Sequence, residues 1–248
     1  MTAQEMVKQK ALSLVWQGYI YGAKGQICSA DFRQQQAQQY PEQAHSILNT
    51  GAKWDGKPVW DCAQLTRAAA KAAGFSLVSG ATSQWQKTPW ISQGAIDTLP
   101  PDAVAFVYRQ SEGRMQHTGV ALGDGTCVHA RGTAYGVVHQ PMSEYAWTHW
   151  ASLWETEARK PELTGLAEVW AQNGSTVNVR REPGGSVMAR LPVGTLVETG
   201  GACAGWTPVA FEETRGYMQS AFLRENVLIR RLLALDEEIR TIKEKAGW

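Results

Sequence analysis

The segment from residue 117 to residue 130 reads HTGVALGDGTCVHA and places a histidine on each side of a glycine-rich turn. Its Asp124-Gly125 pair is a strong signal for a β-hairpin. The runs on either side, residues 118–122 and 126–130, contain the valine and threonine that strands favour. This part of the chain therefore predicts two antiparallel strands.

The length of the turn decides whether the two histidines share a face of the sheet. If the turn takes three residues, Gly123 to Gly125, then His129 lies opposite Gly119. It also lies diagonally beside His117, because opposed residues in antiparallel strands share a face. A two-residue turn would put the imidazoles on opposite faces. We expect the three-residue turn, with Gly125 in the left-handed conformation.

A second segment, residues 61–65, predicts the start of a helix. Asp61 is a suitable N-cap, and Gly74 predicts the helix end. The apolar residues of its buried side are Leu65, Ala68, Ala69, Ala72 and Ala73. A helix start and a nearby imidazole are the usual means of lowering the pKa of a thiol, which makes it a better nucleophile near neutral pH. We therefore expect Cys62 to be a nucleophile.

Two of the five histidines complete this hypothesis. His117 would take the proton from Cys62, and His129 would orient the His117 ring and stabilise its charged form, as a carboxylate or an amide does in other triads. The spacing leaves open that one histidine is a core residue and the other lies on the surface. Cys28 is an alternative nucleophile, but it lacks a preceding aspartate and an apolar-faced helix. For Cys28, Cys127 and Cys203 we expect ordinary packing.

The composition excludes several classes of protein. Lys and Arg number 24 against 23 Asp and Glu, without the basic excess of a nucleic-acid-binding protein. No run approaches the roughly 18 consecutive apolar residues of a membrane span. The four cysteines form no Cys-x-x-Cys pair, which argues against structural zinc. We expect no nucleic acid, no membrane insertion, no metal and no cofactor.

Residues 1–16 lack the apolar run of a signal peptide, so we expect synthesis in the cytoplasm without export by that route.

The rest of the first 160 residues predicts helices and a small sheet. Residues 4–16 favour a helix, and residues 32–50 predict a helical insertion packed loosely on the surface. Residues 103–108 and 137–139 predict two further strands. One helix is thus expected to pack on a small antiparallel sheet.

The sequence pattern changes beyond a linker predicted at Pro161–Gly165. Short runs between glycine turns predict a small β-barrel. Its predicted strands are residues 167–172, 176–180, 196–199, 206–211 and 216–218. The tail is predicted to be a helix, in which Leu228, Leu232, Leu235, Ile239 and Ile242 follow a heptad spacing. We favour a homo-oligomer through residues 228–242 over docking of this helix on its own chain.

The segments around Cys62 and His117 resemble the NlpC-type papain-like endopeptidases of bacteria and their phages. That family carries an early Tyr-x-aromatic-Gly-Gly segment, then Asp-Cys-Ser-Gly at a helix start. A His-Val-Gly-x-Tyr-x-Gly-x-Gly run follows, before a second histidine and Ala. The matching stretches are residues 19–23, 61–65 and 117–130. The resemblance covers about residues 5 to 155.

The resemblance implies an α+β fold with a papain-like catalytic domain, and a hydrolase that cuts the stem peptide of peptidoglycan between D-glutamate and a diamino acid. Tyr19 would help to place the substrate, and Asp61 would contact a substrate amine. The backbone N–H of Cys62 would donate to the oxyanion. The serine and glycine that follow the nucleophile in the family are Ala63 and Gln64 here. We include Ala63 among the substrate-binding positions, although the hydroxyl is missing.

Residues 167–224 resemble the bacterial SH3-like modules that bind cell walls. We expect Trp206 and Tyr217 to be core or rim aromatics rather than ligand contacts. The expected organisation is a peptidase domain at residues 1–160, an SH3-like domain at 166–224 and a C-terminal helix at 225–248.

The long insertion before Asp61 is similar to prophage-encoded members of the family. We therefore expect the chain to reach the wall as an endolysin released through a phage pore or as a virion component. Two alternatives remain open: a catalytically degenerate wall-binding protein, or an amidase or acyltransferase that uses the same cysteine.

Overall fold

The computed structural model describes residues 1–156 and 161–226, together with Leu235, Ile239 and Lys245. The chain divides into two compact units, Met1–Arg159 and Lys160–Trp248. The helices of the first unit are α1 (Ala3–Ser13), α2 (Ala30–Gln39), α3 (Ala44–Leu48), α4 (Cys62–Ala72) and α5 (Ala81–Lys87). Its strands are β1 (Gly18–Tyr19), β2 (Lys24–Ile27), β3 (Pro58–Trp60), β4 (Ser92–Ala95), β5 (Val104–Ser111), β6 (Arg114–Leu122), β7 (Thr126–Gly132), β8 (Gly136–Pro141) and β9 (His149–Ser152).

The centre of the first unit is a six-stranded antiparallel sheet in the order β4-β9-β5-β6-β7-β8. Helix α4 packs against β6 and β7, and α1 packs against α4. Val7, Leu65 and Phe106 are fully buried in the core between these elements. The predicted packing of a helix on an antiparallel sheet is confirmed. The sheet is larger than predicted, because the four-residue strands β4 and β9 carry no clear sequence signal.

The β6–β7 hairpin has the register of the three-residue turn. Val120 pairs with Val128 and Ala121 pairs with Cys127. Gly125 has a φ of +79°, in the region that favours glycine. The predicted register and the left-handed glycine are therefore confirmed.

The start of α4 is fixed by a cap and by a buried glutamine. The Asp61 side chain accepts the backbone N–H of Gln64 at 2.7 Å, as expected of an N-cap. Gln84 of α5 is fully buried, and its Nε2 donates to the Ala63 carbonyl at 3.0 Å. Its Oε1 accepts the Thr66 hydroxyl at 3.1 Å. These bonds hold the first turn of α4, which begins at Cys62.

The insertion before Asp61 has a core of its own. The predicted helical character is confirmed by α2 and α3, which pack beside a three-stranded sheet in the order β1-β3-β2. The buried residues of this core are Ile20, Ala23, Cys28, Ala37, Ile47, Trp54 and Val59. Arg33 also binds the Asp55 carboxylate through Nη2 at 2.8 Å and Nε at 3.0 Å. The expectation of loose surface packing is wrong, because the apolar residues of this core are spread over the sequence and show no periodicity.

The second unit is an antiparallel β structure. Its strands are β10 (Leu163–Val169), β11 (Thr176–Arg180), β12 (Val187–Pro192), β13 (Leu196–Gly200), β14 (Trp206–Phe211), β15 (Thr214–Gln219) and β16 (Leu223–Arg224). They form one sheet in the order β12-β11-β15-β14-β13-β10-β16. Val169, Val179 and Met218 are buried at its centre. The linker predicted at Pro161–Gly165 is wrong from Leu163 onward, because β10 begins there and pairs with β13.

The predicted C-terminal helix at 225–248 and its heptad seam lie mostly outside the described residues. Leu235 and Ile239 are described, and both are helical and about half exposed. Within the described part of the chain, no helix is long and apolar enough to cross a membrane.

Candidate active site

Cys62 lies at the first position of α4, in the wall of a cleft of about 510 Å³. Tyr19, Asp61 and Ala63 line the same cleft, so four of the predicted site residues lie together. The remaining lining residues are Tyr21, Gln43, Gly80, Ala81, Thr82, Ser83, Glu112, Arg114, Met115 and Gln116.

Three of these lining residues come from elements that the sequence did not connect with the site. Gln43 belongs to the insertion, Glu112 belongs to the turn between β5 and β6, and Arg114 is the first residue of β6. No local motif marks them. Only the packing of the insertion and of this turn brings them to the cleft.

The protonation of Cys62 differs from the expectation. Burial, with a smaller contribution from the neighbouring Asp61, raises the pKa of its thiol to about 12. The backbone N–H groups of Thr118, Ala63 and Cys62 itself act in the opposite direction. The helix start therefore favours the thiolate as expected, but burial outweighs it. The thiol is neutral at pH 7.

His117 and His129 form a direct hydrogen bond with each other. His117 Nε2 lies 2.7 Å from His129 Nδ1. His117 is 7% exposed and His129 is fully buried. Because Nε2 of His117 is engaged, Nδ1 is the ring nitrogen that remains for a reacting group. The structure thus brings the two predicted histidines together as the hairpin register requires.

Both imidazoles are uncharged near neutral pH. Burial lowers the pKa of His129 to about 4 and that of His117 well below its ordinary value. His129 and Arg109 contribute to the lowering of the pKa at His117, and Arg131 contributes to it at His129. A neutral imidazole can accept a proton from a neutral thiol, so the pair suits general-base chemistry.

Gly119 allows the close approach of the two strands at this point. A Cβ on Gly119 would lie 2.8 Å from the Cβ of His129 and 2.9 Å from the Trp147 ring. The position therefore needs glycine to seat His129 against the sheet.

Two aromatic rings enclose the histidine pair. The Trp147 ring stacks on His117 at 5.6 Å between centroids, with an interplanar angle of 27°. Tyr145 contacts His117 at 4.8 Å and His129 at 4.7 Å between centroids. These residues keep water away from the hydrogen bond. Neither residue was predicted for the site, although a Tyr-x-Trp alternation before β9 is the pattern of two side chains on one face.

Gln64, where the sequence departs from the motif described above, packs away from the cleft of Cys62. It is buried, and its Nε2 donates to Ser79 Oγ at 2.7 Å. Its Oε1 accepts from Arg67 Nη1 at 2.7 Å. The polar atoms of this side chain are thus bonded to Ser79 and Arg67, and it does not line the cleft of Cys62.

Cys28 does not line the cleft, and its contacts are those of a packing residue. Its Sγ lies 3.3 Å from Asp55 Oδ1, within the core of the insertion. Burial and this bond raise its pKa to about 11. Among residues 1–156 and 161–226, no cluster of three His, Cys, Asp or Glu side chains is placed to hold a metal ion.

Comparison with known proteins finds a family model that matches the central segment of the chain. Several solved structures are similar to the chain, at low identity. The NlpC/p60 domain of the peptidoglycan hydrolase SagA is 16% identical over 60% of this chain and 98% of that chain, with a TM-score of 0.41. The peptidoglycan hydrolase RipB from Mycobacterium tuberculosis is 21% identical over 60% of this chain and 63% of its own, with a TM-score of 0.41. The search of curated protein sequences found no match. Residues 50–154 match the model of the NlpC/P60 family, and this segment contains Cys62, His117 and His129.

Proposed function

We propose that this chain is a cysteine endopeptidase that cuts the stem peptide of bacterial peptidoglycan. Cys62 is the nucleophile, His117 the base and His129 the third member of the triad. The observation that carries the proposal is the 2.7 Å bond between His117 and His129, in the unit whose cleft contains Cys62. The match of residues 50–154 to the NlpC/P60 family supports it.

The reaction starts from two neutral groups. The Cys62 thiol gives its proton to His117 Nδ1 as Sγ attacks the carbonyl carbon of the substrate. The tetrahedral oxyanion is stabilised by the backbone N–H of Cys62 at the helix start. Collapse of this intermediate breaks the C–N bond, and the leaving amine takes the proton from His117. Water then attacks the carbonyl carbon of the thioester and gives one proton to His117. Collapse of this second intermediate breaks the C–S bond and releases the new carboxyl group, and the proton on His117 returns to the sulfur.

Asp61 gives the cleft a group that selects substrates. Burial raises the pKa of its carboxyl to about 6, so it is largely ionised at pH 7. A carboxylate in the cleft favours an ammonium group of the substrate, such as that of a diamino acid. Tyr19 and Ala63 line the cleft beside it. We therefore propose the bond between D-glutamate and a diamino acid as the one that is cut.

For the second unit we propose an SH3-like module that binds the cell wall. Trp206 lines a cavity of about 190 Å³ in this unit together with Arg180 and Phe222, so we propose it as a ligand contact in place of the purely structural role expected from the sequence. An aromatic ring beside an arginine and neighbouring amides suits a peptide or a sugar. Tyr217 is buried, as expected of a core aromatic. In the full chain with Cys62→Ala, Trp206→Ala should reduce binding to purified cell walls. Unchanged binding would remove this cavity from the proposal.

The route to the wall is also a proposal. We propose release as an endolysin or assembly into a virion, and self-association through residues 228–242.

A degenerate, wall-binding protein is the alternative that Ala63 and Gln64 suggest. Gln64 lies outside the cleft and Ala63 adds no bulk to it, so neither residue blocks access to Cys62. This supports an active enzyme. An amidase or an acyltransferase would use the same cysteine on a different bond.

Digestion of peptidoglycan followed by mass analysis separates these functions. Wild-type protein should release cleaved stem peptides, and Cys62→Ala should release none while its circular dichroism stays unchanged. Cys203→Ser in the second unit is the matched control and should retain activity. Intact stems from walls of several chemotypes would refute the endopeptidase. Stems freed whole from the glycan would instead identify an amidase.

A further inference from the structure

Two buried side-chain nitrogen atoms, one in the histidine pair and one beside it, have no hydrogen-bond partner among the described residues. They are Nε2 of His129 and Nε2 of Gln140. His129 is fully buried and Gln140 is 7% exposed. Burying such groups without partners is unfavourable, so two of them side by side require an explanation.

The two side chains lie on the same face of neighbouring strands. In the β7–β8 ladder, His129 pairs with Val138 and Cys127 pairs with Gln140. Gln140 is therefore the diagonal neighbour of His129. The Gln140 side chain also raises the pKa of the His129 imidazole, so it acts on this ring. The two unpartnered nitrogens thus belong to one contact.

Arg131 holds the other end of the Gln140 carboxamide. Arg131 Nη1 donates to Gln140 Oε1 at 3.1 Å. This turns the NH₂ group of Gln140 toward His129. A half-turn of the amide would exchange its oxygen and nitrogen with little change in shape.

We propose that Gln140 is a positioning residue whose carboxamide orientation selects the tautomer of His129, and through it the tautomer of His117. The inference rests on the proposed function for its catalytic consequence. The tautomers themselves can be observed without any substrate.

Each orientation of the amide fixes the whole chain of hydrogen bonds. With the NH₂ group toward His129, Nε2 of His129 must accept, so the proton of His129 sits on Nδ1. Nδ1 of His129 then donates across the 2.7 Å bond to His117 Nε2. Neutral His117 carries its proton on Nδ1, the only nitrogen left for Cys62. In this state His117 cannot accept the thiol proton.

The opposite orientation gives a competent base. With Oε1 toward His129, Nε2 of His129 donates to Gln140 and Nδ1 accepts from His117 Nε2–H. Nδ1 of His117 is then unprotonated and free to accept. This state requires Arg131 to release the carboxamide. Its guanidinium also lies 4.4 Å from the centroid of the Tyr135 ring, so Arg131 has a second contact on the surface.

Charged groups around the histidine pair disfavour its protonation, which increases the need for an acceptor such as the Gln140 oxygen. Arg109 faces His117 from β5, and Arg131 faces His129 from β7, and both oppose a positive charge on the pair. Tyr145 packs against both rings from the segment before β9, and Cys62 lies at the start of α4. None of these groups supplies an acceptor to His129 Nε2. The Gln140 oxygen is the group placed to stabilise the imidazolium that forms during the reaction.

The test is a long-range ¹H–¹⁵N spectrum of histidine-labelled full-length protein, which reports the protonated nitrogen of each ring directly. We expect His117 and His129 to be protonated on Nδ1 in resting wild type, because Arg131 holds Gln140 Oε1 there, and on Nε2 in Gln140→Glu, because a carboxylate can only accept. Gln140→Met has similar volume and no hydrogen bond, and should lose either preference. Arg131→Met removes the competing donor and should shift both rings toward the Nε2-protonated tautomer.

Kinetics give a second, independent readout. Gln140→Met should lower kcat at least tenfold with KM changed less than twofold. Gln140→Glu should restore kcat to within about threefold and move the acidic limb of kcat to higher pH. An unchanged tautomer in Gln140→Met, or the Nδ1–H tautomer of His117 in Gln140→Glu, would overturn the proposal. If the protein cuts no peptidoglycan, the spectra still decide the tautomer claim, so the two failures can be told apart.

Discussion

Replacing Gly119 with alanine should disable the histidine pair through a single methyl group. The new Cβ would lie 2.8 Å from His129 Cβ, 2.9 Å from Trp147 Cη2 and 3.1 Å from the Val128 oxygen. Reaching ordinary contact requires His129 to move by roughly 0.6 Å. We expect overpacking to lower the free energy of unfolding by about 1–3 kcal/mol. The displaced histidine should lower kcat by about 100-fold.

Gly125→Ala in the same hairpin is the matched control. Gly125 has a φ of +79°, and a Cβ there would meet no atom within 4 Å. Alanine at position 125 should therefore lower the free energy of unfolding by about 1–2 kcal/mol, through backbone strain alone, and leave the histidines in place. Urea unfolding and the rate of stem-peptide release would be measured for both variants. If Gly119→Ala keeps the same kcat as Gly125→Ala, then close seating of His129 is not required for catalysis.

Two further predictions concern stability. The pKa of His129 is lowered to about 4, so unfolded protein binds more protons below about pH 6.5 and the free energy of unfolding rises with pH between those values. The pKa of Asp61 is raised to about 6, so the contribution of this carboxyl to the free energy of unfolding falls with pH over nearly the same range. Asp61→Asn keeps the cap and removes this opposing contribution, so the free energy of unfolding of the variant should rise by about 3 kcal/mol between pH 4 and 6.5. Urea unfolding at each pH measures this rise, and a pH profile identical to that of the wild type would contradict the prediction. Arg33→Met should lower the free energy of unfolding by about 1–3 kcal/mol, because it removes both bonds to Asp55 and a bond to the Leu48 carbonyl. Lys8→Met, which breaks the more exposed Lys8–Asp124 pair in the same unit, should cost about 0–1 kcal/mol in the same assay, and an equal effect of the two variants would show that burial of Arg33 does not matter.

The parts of the site that the sequence predicted are those encoded by local signals. The Asp61 cap precedes the apolar face of α4, and the Asp124-Gly125 turn sets the register that joins His117 to His129. Each signal lies within a few residues of the structure it determines.

The parts that sequence analysis missed depend on distant contacts. Strand β9 lies between β4 and β5, far from both in sequence, and α5 is too polar to show a buried face. The core of the insertion joins residues from Ile20 to Val59. The raised pKa of Cys62 follows from burial, which is a property of the assembled fold and not of the helix start alone.

The neutral state of Cys62 has a consequence for the lifetime of the protein. Peroxides and disulfides react with thiolates far faster than with thiols. A cysteine whose pKa is raised to about 12 presents almost no thiolate at pH 7. Cys62 should therefore withstand an oxidising medium that would soon inactivate a permanently ionised nucleophile. Proton transfer to His117 makes the sulfur reactive only during catalysis.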